Sequence, residues 1–351
     1  MIPYVEILNK YSLKAFALVE PSECWFELSY YDVGEFEIYC RASSYNLNAL
    51  QKGHYVKIPN KRFIWVITSI QYTFNAEGAR MISAKGYEAK WLLKKRIILN
   101  PIELPNTLSG ALFKLINDNI GTGASAARKI NNFDMQLINI DINLSDTQAP
   151  RGNLLEFVNN LLTTYHCGSQ VTYEEGKLIY KIIQGQDKTQ IVKFSQSFDN
   201  LLSSSYSTND EDVGTYALVV STVDDVDYTK EVNYNNVGID RNEILVNSNL
   251  STKYEDANGV EQDTTPTSAL YKGWQYEEGK NELAKHVTIE DVSSEIDLTN
   301  SVYTFDVDFF IGDIVRVQDE YFNYYINSRV LKYTFKQDAK GYGEEAEYGG
   351  Q

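Results

Sequence analysis

The sequence predicts a mainly β chain with α+β insertions, organised as two related β-barrels plus peripheral α+β domains. Three observations lead there. Tyr occurs 26 times in 351 residues, and together with β-branched residues it favours strands. Short alternating runs recur between turn signals, as in barrels and sandwiches. A glycine-led pattern at Gly53 also returns at Gly312.

The first barrel is expected over 1–100. Its strands read as Leu13–Glu20, Cys24–Tyr31, Glu35–Arg41, His54–Pro59, Phe63–Phe74 and Arg80–Tyr87. Turn chemistry at Pro21-Ser22, Val33-Gly34, Lys52-Gly53 and Asn75–Gly78 separates them. Trp25 and Trp65 are expected in its core.

An α+β domain is expected over 101–195. Asn106 or Thr107 can cap a helix running through Ile120, with Leu108, Leu112, Leu115 and Ile116 on one face. A second helix over 152–165 carries Leu154, Leu155, Val158, Leu161, Leu162 and Tyr165 on one side. A hairpin follows, turning at Glu174–Lys177. The second barrel is read as discontinuous, 196–250 and 287–351. A loop–helix insertion at 251–286 interrupts it, with Gly273 and Gly279 weakening the helix.

The repeat supports two barrels. Gly53 and Val56 line up with Gly312 and Val315. Allowing a two-residue loop difference, Tyr72 and Phe74 of one Tyr-Thr-Phe line up with Tyr333 and Phe335 of another. Three such chains would present six similar barrels, a pseudo-sixfold ring with a central channel.

Charge and composition exclude several functions. With 48 acidic against 32 basic residues the net charge is −16, so a basic groove for specific nucleic-acid binding is not expected. Ordinary solubility and an acidic wall along which DNA slides both fit. No apolar run approaches the roughly 20 residues of a membrane helix, and the N-terminus does not read as a signal peptide. Cys24, Cys40 and Cys167 are too few and too scattered for a disulfide framework or zinc site.

Chemistry-bearing patterns are weak. His54, His166 and His286 form no paired metal spacing. His166-Cys167 could suggest a nucleophile pair, but sequence neighbours at a helix end do not face one another. Gly121-Thr122-Gly123 follows a helix, whereas a phosphate cradle precedes one. Asp141, Asn143, Ser145 and Asp146 echo a calcium loop without its glycine and terminal glutamate. Asp224, Asp225 and Asp227 read as a solvated turn. Glu174-Glu175 sit in a hairpin turn, too open for the raised pKa of a general acid. Trp25, Trp65, Trp91 and Trp274 are too dispersed for a sugar platform. No catalytic, cofactor-binding or metal residue is assigned.

The segments Trp25–Ile38, Phe63–Ile67, Lys85–Ala89, Phe194–Leu201 and Gly312–Val315 together resemble phage tail hub proteins. The likeness is to the siphophage form found at the N-terminus of tail-associated lysins, and it covers nearly the whole chain. It implies a homotrimeric ring at the virion tail tip, assembled in the host cytoplasm. Implied partners are the distal tail or tail-tube protein, the tape measure protein and a tip or receptor-binding protein, with DNA passing non-specifically. The resemblance implies a structural protein rather than an enzyme, and because the sequence stops at Gln351 no lytic domain is expected. The competing functions are a cell-wall hydrolase and a carbohydrate- or receptor-binding tail protein.

Overall fold

The computed structural model describes residues 2–74, 78–136, 138, 140, 142–144, 148–198, 200–255, 261–296, 302–321 and 324–349. The chain divides into two compact units, Met1–Ser205 with Val292–Gln351, and Tyr206–Asp291.

The first unit opens with seven strands: β1 (Val5–Leu8), β2 (Ala15–Val19), β3 (Glu23–Ser29), β4 (Glu35–Arg41), β5 (Tyr55–Lys57), β6 (Ile64–Phe74) and β7 (Arg80–Glu88). They lie in the order β3-β4-β7-β6-β5-β1-β2. Alternation places Cys24, Phe26 and Leu28 of β3, and Phe36, Ile38 and Cys40 of β4, in one core with Trp65. Trp25 is on the other face of β3 and only half-buried, so of the two expected core tryptophans only Trp65 is one. Helix α1 (Ser44–Ala49) was not anticipated; Ser43 caps it, its hydroxyl accepting from Asn46 N–H at 3.0 Å.

The chain then leaves β7 through a 3₁₀ turn, Ala89–Lys95. Next come β8 (Ile97–Ile98), β9 (Ile102–Glu103), α2 (Leu108–Asn119), β10 (Phe133–Met135), β11 (Gln148–Ala149), β12 (Gly152–Asn153), α3 (Leu154–Thr164), β13 (Gly168–Glu174) and β14 (Lys177–Ile183). Thr107 caps α2, and Asn153 caps α3 by accepting from Leu155 and Glu156 N–H. The apolar faces read from the sequence pack here: Leu108, Leu112, Leu115, Leu154, Val158 and Leu162 are buried. The same core takes in Leu8, Tyr55, Ile64 and Val66. Residues 101–195 therefore share a core with the outer face of β5 and β6.

Strand β15 (Lys193–Ser195) is followed by β16 (Leu201–Asn209), within which the second unit begins. It holds β17 (Tyr216–Val223), β18 (Val226–Asn233), β19 (Glu243–Ser248), the short β20 (Lys253–Glu255) and β21 (Glu261–Asp263), and α4 (Ala269–Leu283). The sheet order is β18-β17-β19, and α4 covers one face. Residues over 216–248, read as part of the second barrel, thus form a sheet of their own with α4, because their inward side chains Ala217, Val219 and Val232 are buried by the helix. Gly279 is a packing position: a Cβ there would lie 2.7 Å from methyl groups of Val219 and Val232.

The chain re-enters the first unit through β22 (Ile289–Ile296), then β23 (Ile314–Asp319), β24 (Tyr324–Asp338) and β25 (Gly341–Gly349). Among the described residues there are no two separately closed barrels but one sheet of thirteen strands, which runs β16-β22-β25-β24 and continues into β3. The cause is β24. Its first half pairs with β23 and its second half with β3, which fuses the two expected bodies.

Candidate assembly interface

Of the positions singled out by the repeat, the first two pairs, Gly53 with Gly312 and Val56 with Val315, fall on matching backbone. Gly53 and Gly312 both have left-handed φ, +87° and +89°, a conformation that disfavours any side chain. Gly53 N–H donates to Ile67 O at 2.8 Å and Ile67 N–H to His54 O at 2.9 Å. In the other copy Gly312 N–H donates to Val330 O at 2.8 Å and Val330 N–H to Asp313 O at 2.9 Å. Val56 and Val315 follow, both fully buried. Each long strand then bulges, between Ile67 and Ser69 in β6 and between Val330 and Lys332 in β24.

Counting on from the bulges, Ile70 stands opposite Tyr333 in the comparison, Tyr72 opposite Phe335, and Phe74 opposite Gln337. The Tyr-Thr-Phe match read in the sequence is therefore two residues out of register, although it keeps the face. Strand order agrees as well. The series β3-β4-β7-β6-β5 has its counterpart in β16-β22-β25-β24-β23, in the same chain order.

The two long strands differ in what lies beside them. Lys332–Gln337 of β24 pair with β3, from Lys332 with Ser29 to Gln337 with Cys24. Tyr333 and Phe335 are 1% and 0% exposed; Phe305 stacks on Tyr333 with ring centroids 3.7 Å apart. On β6 the edge at Ser69–Phe74 pairs with no strand among the described residues, because β5 reaches only Val66. Tyr72 and Phe74 are 59% and 69% exposed.

Two buried devices weld the first unit together. Tyr30 lies where a Cβ on Gly312 or Gly168 would fall, at 2.2 and 2.3 Å from its ring. Its hydroxyl donates within reach of the carbonyls of His166, Ile183 and Gln184 at 3.0 to 3.1 Å. Beside it, Glu88 accepts from the N–H groups of Ser29 and Gly34. Lys90 donates to the carbonyls of Ser29 and Ser169, with its Nζ 3.5 Å from Glu88. Burial pushes the Glu88 carboxyl up and the Lys90 ammonium down, and their mutual attraction opposes both shifts.

A family model of the siphovirus ReqiPepy6 Gp37-like protein matches residues 5–349. The chain belongs to that family. No curated protein matches it by sequence. The fold of this Gp37-like chain is similar to that of solved tail proteins, two of them from prophages. A tail protein from Neisseria meningitidis MC58 superposes with TM-score 0.62 at 11% identity, covering 99% of this chain and 96% of its own. The 43 kDa tail protein of prophage MuSo2 from Shewanella oneidensis gives 0.59 at 12%, with 98% of each chain covered. Prophage tail protein gp18 from Listeria monocytogenes EGD-e gives 0.54 at 11%, covering 99% and 94%.

Among the described residues of the Gp37-like chain, no three His, Cys, Asp or Glu side chains gather into a set that could hold a metal ion. His166 is exposed in left-handed backbone ending α3, and Cys167 is buried. His54 is buried with its Nδ1 3.1 Å from Ala49 O, and His286 contacts Asp212 O. Asp224 and Asp225 take the two left-handed positions of the β17–β18 turn, and Asp227 accepts from Thr222. Glu174 is held by Lys181, whose hydrogen bond keeps its carboxyl below the usual range, opposite to what a general acid requires. Gly123 N–H is taken by Asn117. Asp141, Ser145 and Asp146 of the calcium echo, and most of the Asn75–Gly78 turn, lie outside the described residues. One grouping was missed in the sequence: Trp274 stands 5.3 Å from Tyr254 and 6.0 Å from Tyr271, beside a groove of about 620 Å³ also lined by Glu277, Glu278 and Asn281.

Proposed function

We propose that this chain is the structural hub of a siphophage tail tip, a homotrimeric pseudo-sixfold ring without enzymatic activity. In this reading it joins the distal tail or tail-tube protein to a tip or receptor-binding protein. The tape measure protein and DNA pass through its lumen, and the net charge of −16 disfavours phosphate adhesion to the wall. One observation carries the reading: a single chain holds two matching five-strand frameworks, with the junction between them made once internally and, among the described residues, left open once.

Light scattering over a range of concentrations tests it. A mass near three times the 40.0 kDa chain is expected, with face-on images showing six similar lobes. A chain that is monomeric at every concentration contradicts it. The groove beside Trp274 favours receptor or carbohydrate binding as a second reading, confined to the second unit. Loss of host-cell binding in Trp274→Ala, with ring mass unchanged, would support that addition; unchanged binding would remove it.

A further inference from the structure

We propose that the open edge of β6, Ser69–Phe74, receives β16 of a second copy of this chain, added from Leu201 onward as an antiparallel strand. The inference rests on the ring reading and specifies its subunit contact. Its template is inside the molecule, where the corresponding edge of β24, Lys332–Gln337, is filled by β3 in antiparallel register. Within the second framework β16 occupies the place that β3 has in the first, since β3-β4-β7-β6 runs in parallel with β16-β22-β25-β24. Among the described residues β16 pairs only with β22, so it has an edge to give where β6 has an edge to fill.

The side chains agree. Ser69, Gln71 and Thr73 on β6, and Ser203 and Ser205 on β16, are uncharged, so two backbones can approach without like-charge repulsion. On the other face of β6, Ile70, Tyr72 and Phe74 are apolar. Tyr72 and Phe74 are exposed, while Tyr333 and Phe335, the counterparts of Ile70 and Tyr72, are buried. An open strand edge beside exposed aromatics is a pairing template that monomeric proteins avoid. Every chain then has one edge to donate and a different edge to accept. That contact is heterologous and head-to-tail, the kind from which a closed ring is built when the rotation between copies closes, and not that of an isologous dimer.

A cysteine scan of the full-length protein tests the register. Gln71→Cys is combined with a single cysteine placed in turn at positions 201 through 207, and the associated protein is oxidised. One position is expected to form an interchain disulfide about tenfold more than its neighbours two residues away, where the Cα separation exceeds what the bond spans. Replacing Gln71→Cys by Thr73→Cys is expected to move the linking position two residues toward 201, as an antiparallel pair requires. A trimer that links at none of these positions, or whose link does not move, overturns the inference and leaves the ring reading intact. A chain that never associates overturns both.

Discussion

The second halves of β6 and β24 form a controlled pair: the same bulge precedes each, the same glycine-led strand lies beside the first half, and a strand across from each supplies full pairing on one side. Yet Phe335 is buried against Phe63 and Phe305, whereas Tyr72 stands in solvent. Exposure here follows the neighbour and not the strand. What β3 does for β24 inside the chain, nothing among the described residues does for β6.

Truncation should separate the two strands most sharply. Phe335→Ala removes a fully buried ring and is expected to cost about 3–5 kcal/mol in urea unfolding of the isolated chain. Phe74→Ala removes an exposed ring and should change that unfolding by less than about 0.5 kcal/mol, while weakening association measured by light scattering. Equal unfolding costs for the two would mean that the strand, and not its neighbour, sets the burial of these rings. Next in size is the buried pair. Glu88→Gln leaves the Lys90 ammonium buried beside a neutral amide, with an expected loss of about 3 kcal/mol, and Glu88→Gln with Lys90→Met together should lose less than the sum of the singles.

The two left-handed glycines differ in what surrounds them. Gly53→Ala meets only the Lys10 side chain at 3.2 Å, so left-handed backbone alone sets its cost, about 1–2 kcal/mol. Gly312→Ala adds a collision with Tyr30, and about 1–3 kcal/mol of overpacking. Its midpoint in denaturant should therefore fall clearly below that of Gly53→Ala. The smallest effect is expected in the second unit, where Ser268→Ala removes the cap that accepts from Tyr271 N–H at 3.1 Å and should lower its stability by about 1 kcal/mol.

Much of the first framework was legible because period-two alternation and turn residues bracket β2 to β7 closely. β1 was missed because four residues, Val5–Leu8, give no alternation to count. The two-residue error in matching Tyr72 to Tyr333 has a definite cause. A shift of two leaves every side chain on its own face, so pattern alone cannot detect it; only the hydrogen bonds of Ile67 and Val330 do. Strands β17 to β19 read like strands of the second framework because alternation reports a buried face and not which partner buries it. The partner is α4, whose glycine at 279 looked like a weakness in the sequence and is where the helix meets the sheet. Trp25 was misplaced by one residue's parity, with Phe26 taking the core side.

Amide hydrogen exchange on the assembled protein decides whether Ser69–Phe74 and Lys332–Gln337 are equivalent places in one ring. Amides of Ser69–Phe74 are expected to exchange as slowly as those of Lys332–Gln337 in the ring, and faster in a dissociated chain. Fast exchange at Ser69–Phe74 in an intact trimer, beside slow exchange at Lys332–Gln337, would show that the two places are not equivalent.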